Sequence, residues 1–127
     1  MVSDVQEVDV MMRNYKGNKV WADFDSIIFV ECKNWFKDRR PGASILRDFK
    51  GKLDNKDLKT GIFVAPNGIA EGSRHDDKVY GADGQIDKFL QDGTKIVVLE
   101  DEDIWAIINC TDVTEQINKK FMELYKL

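Results

Sequence analysis

The chain has 127 residues, of which 43% are hydrophobic and 33% are charged, with a formal net charge of -4 at pH 7. That length suffices for one hydrophobic core but not for two ordinary domains, so we expect a single domain over residues 1–127. No run approaches the roughly 18 to 20 apolar residues of a membrane helix, and the N-terminus lacks a basic segment followed by an apolar one. The composition therefore excludes a membrane protein and predicts a soluble protein of the cytoplasm.

Two strands and a turn are predicted first. Residues 5–13 alternate in a strand-like way, with Val8 and Val10 on one face and Asp9 on the other. A turn is predicted over residues 14–18. The second strand, residues 26–33, is apolar on both faces, which is typical of a central strand covered on both sides. Residues 21–25 either continue the hairpin or form a loop.

Helices and strands alternate over the middle of the chain. Ser44 is predicted to cap a helix of about three turns, because apolar residues recur at helical spacing from Ile45 to Leu53. The apolar run at 61–65 predicts a buried strand. The order strand, helix, strand implies a right-handed parallel crossover. A helix over residues 85–91 and a strand over residues 95–99 follow.

The acidic run at residues 100–103 has two interpretations, a metal site and a helix start. Acidic residues in a first turn complement the helix dipole, and Ile104, Ile107 and Ile108 follow at helical spacing. The pattern therefore favours a helix start. Asp112, with Glu115 three residues later, predicts a capping box for the last helix.

The end of the second strand carries the strongest functional signal. Strand side chains alternate, so Glu31 and Lys33 project to one side and Cys32 to the other. Asp9 precedes Glu31 by 22 positions and is likewise set among apolar residues. If its strand is a neighbour, the two carboxylates can converge on a divalent cation that prefers oxygen ligands, with a lysine beside it. A Glu-x-Lys triplet is more commonly a solvated strand face, but the apolar context favours a catalytic site.

Basic residues are concentrated from this site onward. Residues 31–59 hold nine Lys or Arg against five Asp or Glu, whereas residues 60–127 hold seven against thirteen. Lysine and arginine make most phosphate contacts. The candidate nucleic-acid contacts are Lys37, Arg39, Arg40, Arg47, Lys50 and Lys52. The alternative interpretation is an ordinary charged surface.

Four segments resemble the restriction-endonuclease-like nucleases with a PD-(D/E)xK site, and within them the Mrr-like type IV restriction endonuclease group. They are EVDV at 7–10, IIFVECKNW at 27–35, GIFVAPNGIAEG at 61–72 and IVVL at 96–99. The resemblance implies an α/β fold of the restriction-endonuclease type. This fold is a three-layer sandwich with a central mixed sheet of four to five strands and helices on both faces.

The resemblance also implies a magnesium-dependent deoxyribonuclease of restriction or defence type. Asp9 and Glu31 would bind Mg²⁺ or Mn²⁺, with the backbone carbonyl of Cys32 as a further ligand. Lys33 would lie beside the attacking water. Glu7 shares the face of Asp9 and either orients a ligand or faces solvent. The products would carry 5′-phosphate and 3′-hydroxyl ends, and double-strand cuts would require a homodimer or sequential nicking.

One feature departs from the family pattern. Members usually carry a helix before the Asp strand, whereas only eight residues precede Asp9. We therefore expect the chain to be a fragment or domain of a longer protein. The departure also keeps open a nuclease-fold module that binds nucleic acid or a protein partner without cutting. A flavodoxin-like ligand domain is a third alternative, although the glycine loop expected after its first strand is missing from the sequence.

Overall fold

The computed structural model describes residues 5–17, 19–22, 24–35, 39–70, 81–109 and 112–125. Strands and helices alternate along most of these segments. In chain order the elements are β1 (Val5–Arg13), α1 (Lys19–Ala22), β2 (Ile27–Trp35), α2 (Ala43–Asn55), β3 (Thr60–Val64), α3 (Ala82–Gln91), β4 (Lys95–Leu99), α4 (Asp101–Ile108) and α5 (Val113–Leu124). Among the described helices, none has the length and apolar character needed to cross a bilayer.

The strands form a mixed four-stranded sheet in the order β1, β2, β3, β4. β1 runs antiparallel to β2, and β2, β3 and β4 run parallel to one another. The parallel β2–α2–β3 connection and the central position of β2 confirm the sequence predictions. The sheet also confirms the α/β class, with four strands in the described part of the chain.

Helices pack on both faces of this sheet, and each face has its own core. On one face, α2 and α3 cover the sheet, and the buried residues there include Phe29, Leu46, Phe49, Leu53, Phe63, Ile86, Phe89 and Ile96. On the other face, α5 packs over the sheet, and the buried residues are Phe24, Ile28, Ile62, Val97, Leu99, Ile117 and Phe121. Adjacent residues such as Ile28 and Phe29 belong to different cores, as strand alternation requires.

Two local predictions about helix starts have different outcomes. Ser44 does not cap α2, because the helix begins at Ala43 and its N-cap is Gly42. The extended backbone of Gly42 places its carbonyl where it accepts from the amides of Ile45 and Leu46, so the start needs no side-chain cap. Asp112 is confirmed as the N-cap of α5, but its carboxylate accepts a 2.7 Å hydrogen bond from the amide of Thr114, the second residue of the helix, rather than from Glu115, the third, as a capping box requires.

The acidic run begins a helix, as its pattern predicts. Glu100 is the N-cap of α4, and Asp101 is its first residue. The side chain of Asp103 turns back and accepts a 2.8 Å hydrogen bond from the Glu100 amide.

Residues 21–25, whose structure the sequence left open, include the end of the short helix α1 and the buried Phe24.

Candidate functional site

Asp9 and Glu31 lie directly opposite each other on β1 and β2. Opposite residues of an antiparallel pair project to the same face, and so does Lys33, two positions beyond Glu31. Phe29 shares this face and packs in the core beneath α2, so the polar side chains lie on the α2 side of the sheet. Cys32 projects to the other face and is a half-buried free thiol whose burial raises its pKa. The strand geometry therefore brings the two predicted carboxylates and the predicted lysine together.

A second lysine joins this group from α2. The Nζ atom of Lys52 lies 3.4 Å from Oδ2 of Asp9 and donates a hydrogen bond to Oε1 of Glu31. The Nζ atom of Lys33 lies 4.0 Å from the other oxygen of Glu31, Oε2. We call Asp9 and Glu31 the carboxylate pair, and the pair with Lys33 and Lys52 the polar cluster. Two carboxylates and two ammonium groups give the polar cluster a formal charge of zero.

The packing of α2 explains why Lys52 reaches the sheet. Phe49 and Leu53 are fully buried, and Lys52 is three residues after the first and directly before the second. It therefore lies at the border of the buried helix face. Gly61 of β3 permits close contact, because a Cβ there would lie only 2.8 Å from Cζ of Phe49. Because Gly61 has no side chain, α2 packs closely against β3, and this position of the helix brings Lys52 within reach of the carboxylate pair.

The polar cluster is buried at one end and open at the other. Glu31 is 1% exposed, whereas Asp9 is 45% and Lys52 is 38% exposed. Burial raises the pKa of Glu31, and the nearby Asp9 carboxylate raises it further, against the opposing effects of Lys52 and Lys33. The hydrogen bond to Glu31 raises the pKa of Lys52. Burial thus disfavours the anionic form of Glu31 despite the two lysines, and a further cation would favour that form.

The donor atoms suit a small hard cation. Mg²⁺ is commonly held through one or two carboxylates and retains several waters. Within the residues that the structure describes, no group of three or more His, Cys, Asp or Glu side chains could hold a metal ion. Among these residues, a metal at this site would have the carboxylate pair as its side-chain ligands, completed by backbone or water oxygens.

The other predicted site residues are distributed over the surface. Arg39, Arg40 and Arg47 are exposed. Lys50 forms intramolecular contacts: its ammonium group lies 2.8 Å from the Asp54 carboxylate in an ion pair and 5.7 Å from the centroid of the Phe89 ring.

Of two further predicted site residues, Glu7 is described only in its backbone and Lys37 is not described. The backbone of Glu7 pairs with that of Lys33, which places Glu7 in register with the polar cluster, but its side chain lies outside the described set. Lys37 lies outside the described residues.

The role of Lys52 was missed from the sequence, where it counted only as one of several basic residues. Its spacing from Phe49 and Leu53 was the available signal, since it predicts a position beside the apolar face of the helix. That spacing does not reveal which strand the helix crosses, so the contact with the carboxylate pair required the structure.

Models of known protein families give no match to this chain, and curated protein sequences give none. Functional inference therefore rests on the residues and on the geometry of the polar cluster.

Proposed function

We propose that this chain is a metal-dependent endonuclease domain of restriction or defence type that hydrolyses DNA phosphodiester bonds. The observation that carries the proposal is the carboxylate pair. Asp9 and the buried Glu31 face each other across β1 and β2, with Lys33 on the same face. The mixed sheet with helices on both faces fits the three-layer sandwich of restriction-endonuclease-like proteins.

Asp9 and Glu31 would hold Mg²⁺ or Mn²⁺, with the backbone carbonyl of Cys32 as the further ligand that the family resemblance implies. When bound, the ion would supply Lewis-acid chemistry, which withdraws charge from the phosphate oxygens and makes water a stronger acid. The buried position of Glu31 keeps its carboxylate in a low-dielectric setting, where its attraction for a cation is stronger than in water. The exposed side of Asp9 leaves room for the substrate.

Lys33 is suited to stabilise charge during the reaction. Its side chain is only 7% exposed and lies on the same face as the carboxylate pair. Attack by hydroxide on a phosphodiester produces a transition state with two negative charges, which a fixed ammonium group stabilises. A divalent cation held by the carboxylate pair would add two positive charges beside Lys33 and so offset this negative charge. In-line attack would release 5′-phosphate and 3′-hydroxyl ends.

Binding of DNA would use the basic surface beside the site. Arg39, Arg40 and Arg47 are exposed and would make the phosphate contacts. A homodimer would place two active sites on one duplex and permit double-strand cuts. A cytoplasmic location agrees with the free thiol of Cys32, which suits a reducing compartment.

Incubation of supercoiled plasmid DNA with the protein and Mg²⁺ or Mn²⁺ tests the proposal. Asp9→Ala should abolish cleavage, and Lys33→Ala should slow it by about 100-fold to 1,000-fold, as for loss of a group that stabilises transition-state charge. Lys50→Ala is the matched control, because Lys50 lies in the same basic segment but pairs with Asp54. Equal cleavage by all four proteins would refute the assignment.

A second candidate function is a nuclease-fold module that binds nucleic acid or a protein partner without cutting. The neutral charge of the polar cluster favours it, because Lys33 and Lys52 together balance the two carboxylate charges. Calorimetric titration with Mg²⁺ separates the two functions. Tight DNA binding without any binding of Mg²⁺ would support the second.

A further inference from the structure

We infer that Lys52 is a resident counter-ion of the carboxylate pair, which a divalent cation must displace in order to bind. The inference rests on the proposed function, since the same two carboxylates are the proposed metal ligands. It assigns Lys52 a role in controlling metal affinity, in addition to the catalytic role proposed for Lys33.

The position of the Lys52 ammonium supports this role. Its Nζ atom contacts Oε1 of Glu31 and lies 3.4 Å from Oδ2 of Asp9, so one cation already spans both carboxylates. A metal ion bound to the same oxygens would approach them to about 2.0–2.1 Å for Mg²⁺. An ammonium and a divalent cation that both span these two oxygens would repel each other strongly at such short range, so each weakens the binding of the other.

Lys33 differs from Lys52 in both position and burial. Its Nζ atom approaches Oε2 of Glu31 at 4.0 Å, on the other oxygen of that carboxylate. Lys33 is 7% exposed and emerges from the central strand β2, whereas Lys52 is 38% exposed and emerges from a helix surface. A cation at Oε1 and Oδ2 therefore leaves the Lys33 contact in place and removes the one made by Lys52.

The side chain of Lys52 has a route by which to leave. Lysine has a flexible four-carbon stem and a compact, strongly hydrated ammonium group. Because the side chain is partly exposed, rotation about its own bonds can carry Nζ into solvent without movement of α2. Release would uncover Glu31, whose Oε1 atom Lys52 contacts.

This exchange gives two opposite expectations for the loss of Lys52. Without metal, the protein should lose stability, because the buried Glu31 carboxylate loses its closest cation. When a divalent cation is added, the variant has no ammonium group competing for the carboxylate pair, so its affinity for the cation should rise. A lysine that merely supports the fold would produce the first effect alone.

Calorimetric titration with Mn²⁺ measures the competition directly. Lys52→Gln should bind Mn²⁺ about tenfold or more tightly than the wild type, the scale set by loss of one hydrogen bond to a charged group. Lys52→Arg keeps a cation in place and should retain weak binding. Lys50→Gln removes a charge from the same helix, at an ion pair with Asp54, and should leave the affinity nearly unchanged.

Thermal unfolding supplies a readout that does not depend on cleavage. Lys52→Gln should melt below the wild type in EDTA, and saturating Mn²⁺ should close or reverse the difference. Lys52→Met keeps the length of the stem without the charge and serves if the Gln variant fails to fold. Both variants should melt below the wild type in EDTA and lose or reverse that difference in saturating Mn²⁺.

Equal or weaker Mn²⁺ binding by Lys52→Gln and Lys52→Met would overturn the inference, and so would no binding by any variant. If the wild type cleaves plasmid DNA while the variants bind Mn²⁺ no more tightly, only the inference fails. If the variants bind Mn²⁺ more tightly but the wild type does not cleave DNA, the inference stands and the proposed nuclease activity fails.

Discussion

Glu31 and Asp103 are both almost fully buried carboxylates, at 1% and 2% exposure, but they have different partners. Asp103 accepts hydrogen bonds of 2.8 Å from the Glu100 amide and 2.6 Å from Nε2 of Gln116. Lys120 adds an ammonium group at 3.4 Å. The described cations at Glu31 are Lys52 and Lys33, which come from a helix and from its own strand.

The difference separates a carboxylate that joins two helices from the one that we propose binds a metal ion. The Glu100 amide at the start of α4 and the buried Gln116 amide in α5 are held by the helices that carry them, and the bond to Gln116 joins α4 to α5. The main partner of Glu31 is a partly exposed lysine that can leave without backbone movement. Burial alone therefore does not identify a functional acid. The identity of its partners, and whether they can exchange, is more informative.

Matched neutral substitutions at the two carboxylates should separate their roles most clearly. Glu31→Gln should reduce plasmid cleavage by about 1,000-fold or more, because loss of a charged ligand removes several kcal/mol of transition-state stabilisation. Asp103→Asn should leave the rate per folded molecule close to that of the wild type, because this carboxylate lies outside the polar cluster. Cleavage assays corrected for the folded fraction by circular dichroism provide the measurement.

The stability of the same two variants should follow the opposite order. Asp103→Asn should lower the free energy of unfolding by about 1–3 kcal/mol, since it weakens bonds to Glu100, Gln116 and Lys120 together. Glu31→Gln should cost less, because it also removes a buried charge. If Asp103→Asn abolished cleavage while remaining fully folded, the division between the two carboxylates would be wrong.

Glycine substitutions test whether α2 holds the polar cluster in place. Gly61→Ala should lower the free energy of unfolding by about 1–3 kcal/mol, because the new methyl group would overlap Phe49 and Leu53. Any shift of α2 would also move Lys52 away from Glu31 while leaving the bonds of Asp103 unchanged. Urea unfolding measures the first effect, and the affinity for Mn²⁺ measures the second.

Gly51 offers the matched control on the same helix. A Cβ at Gly51 meets nothing within 4 Å, so Gly51→Ala should gain about 0.5–1 kcal/mol from helix propensity. Equal stability of the two alanine variants would show that the close packing of α2 against β3 does not position this helix.

Much of the fold could be predicted from local patterns. Strand alternation correctly placed Glu31 and Lys33 on one face of the sheet and Cys32 on the other. The side chain of Asp112 correctly marked the start of α5. These features depend on residues close together in the sequence. The start of α2 was misassigned to Ser44, because side-chain preference suggested a cap where the backbone of Gly42 suffices.

The contacts between elements could not be predicted in the same way. Lys52 meets Glu31 only because α2 packs closely over Gly61, and the sequence of α2 does not encode that contact. The bond between Asp103 and Gln116 likewise joins two helices whose packing no local pattern determines. The difference between the partners of the two carboxylates therefore arises from tertiary packing.

The smallest expected effect is a difference in how stability depends on pH. Burial raises the pKa of Glu31 above its ordinary value of 4.5, so the folded protein binds this proton more tightly than the unfolded chain. The resulting stability is fully present below pH 4.5 and is lost as the pH rises through the raised pKa, with a slope of at most about 1.4 kcal/mol per pH unit. Urea unfolding in EDTA between about pH 4 and pH 8 should therefore show Glu31→Gln gaining on the wild type as the pH rises. Parallel curves for Glu31→Gln and the wild type would show that burial does not set the Glu31 carboxylate apart.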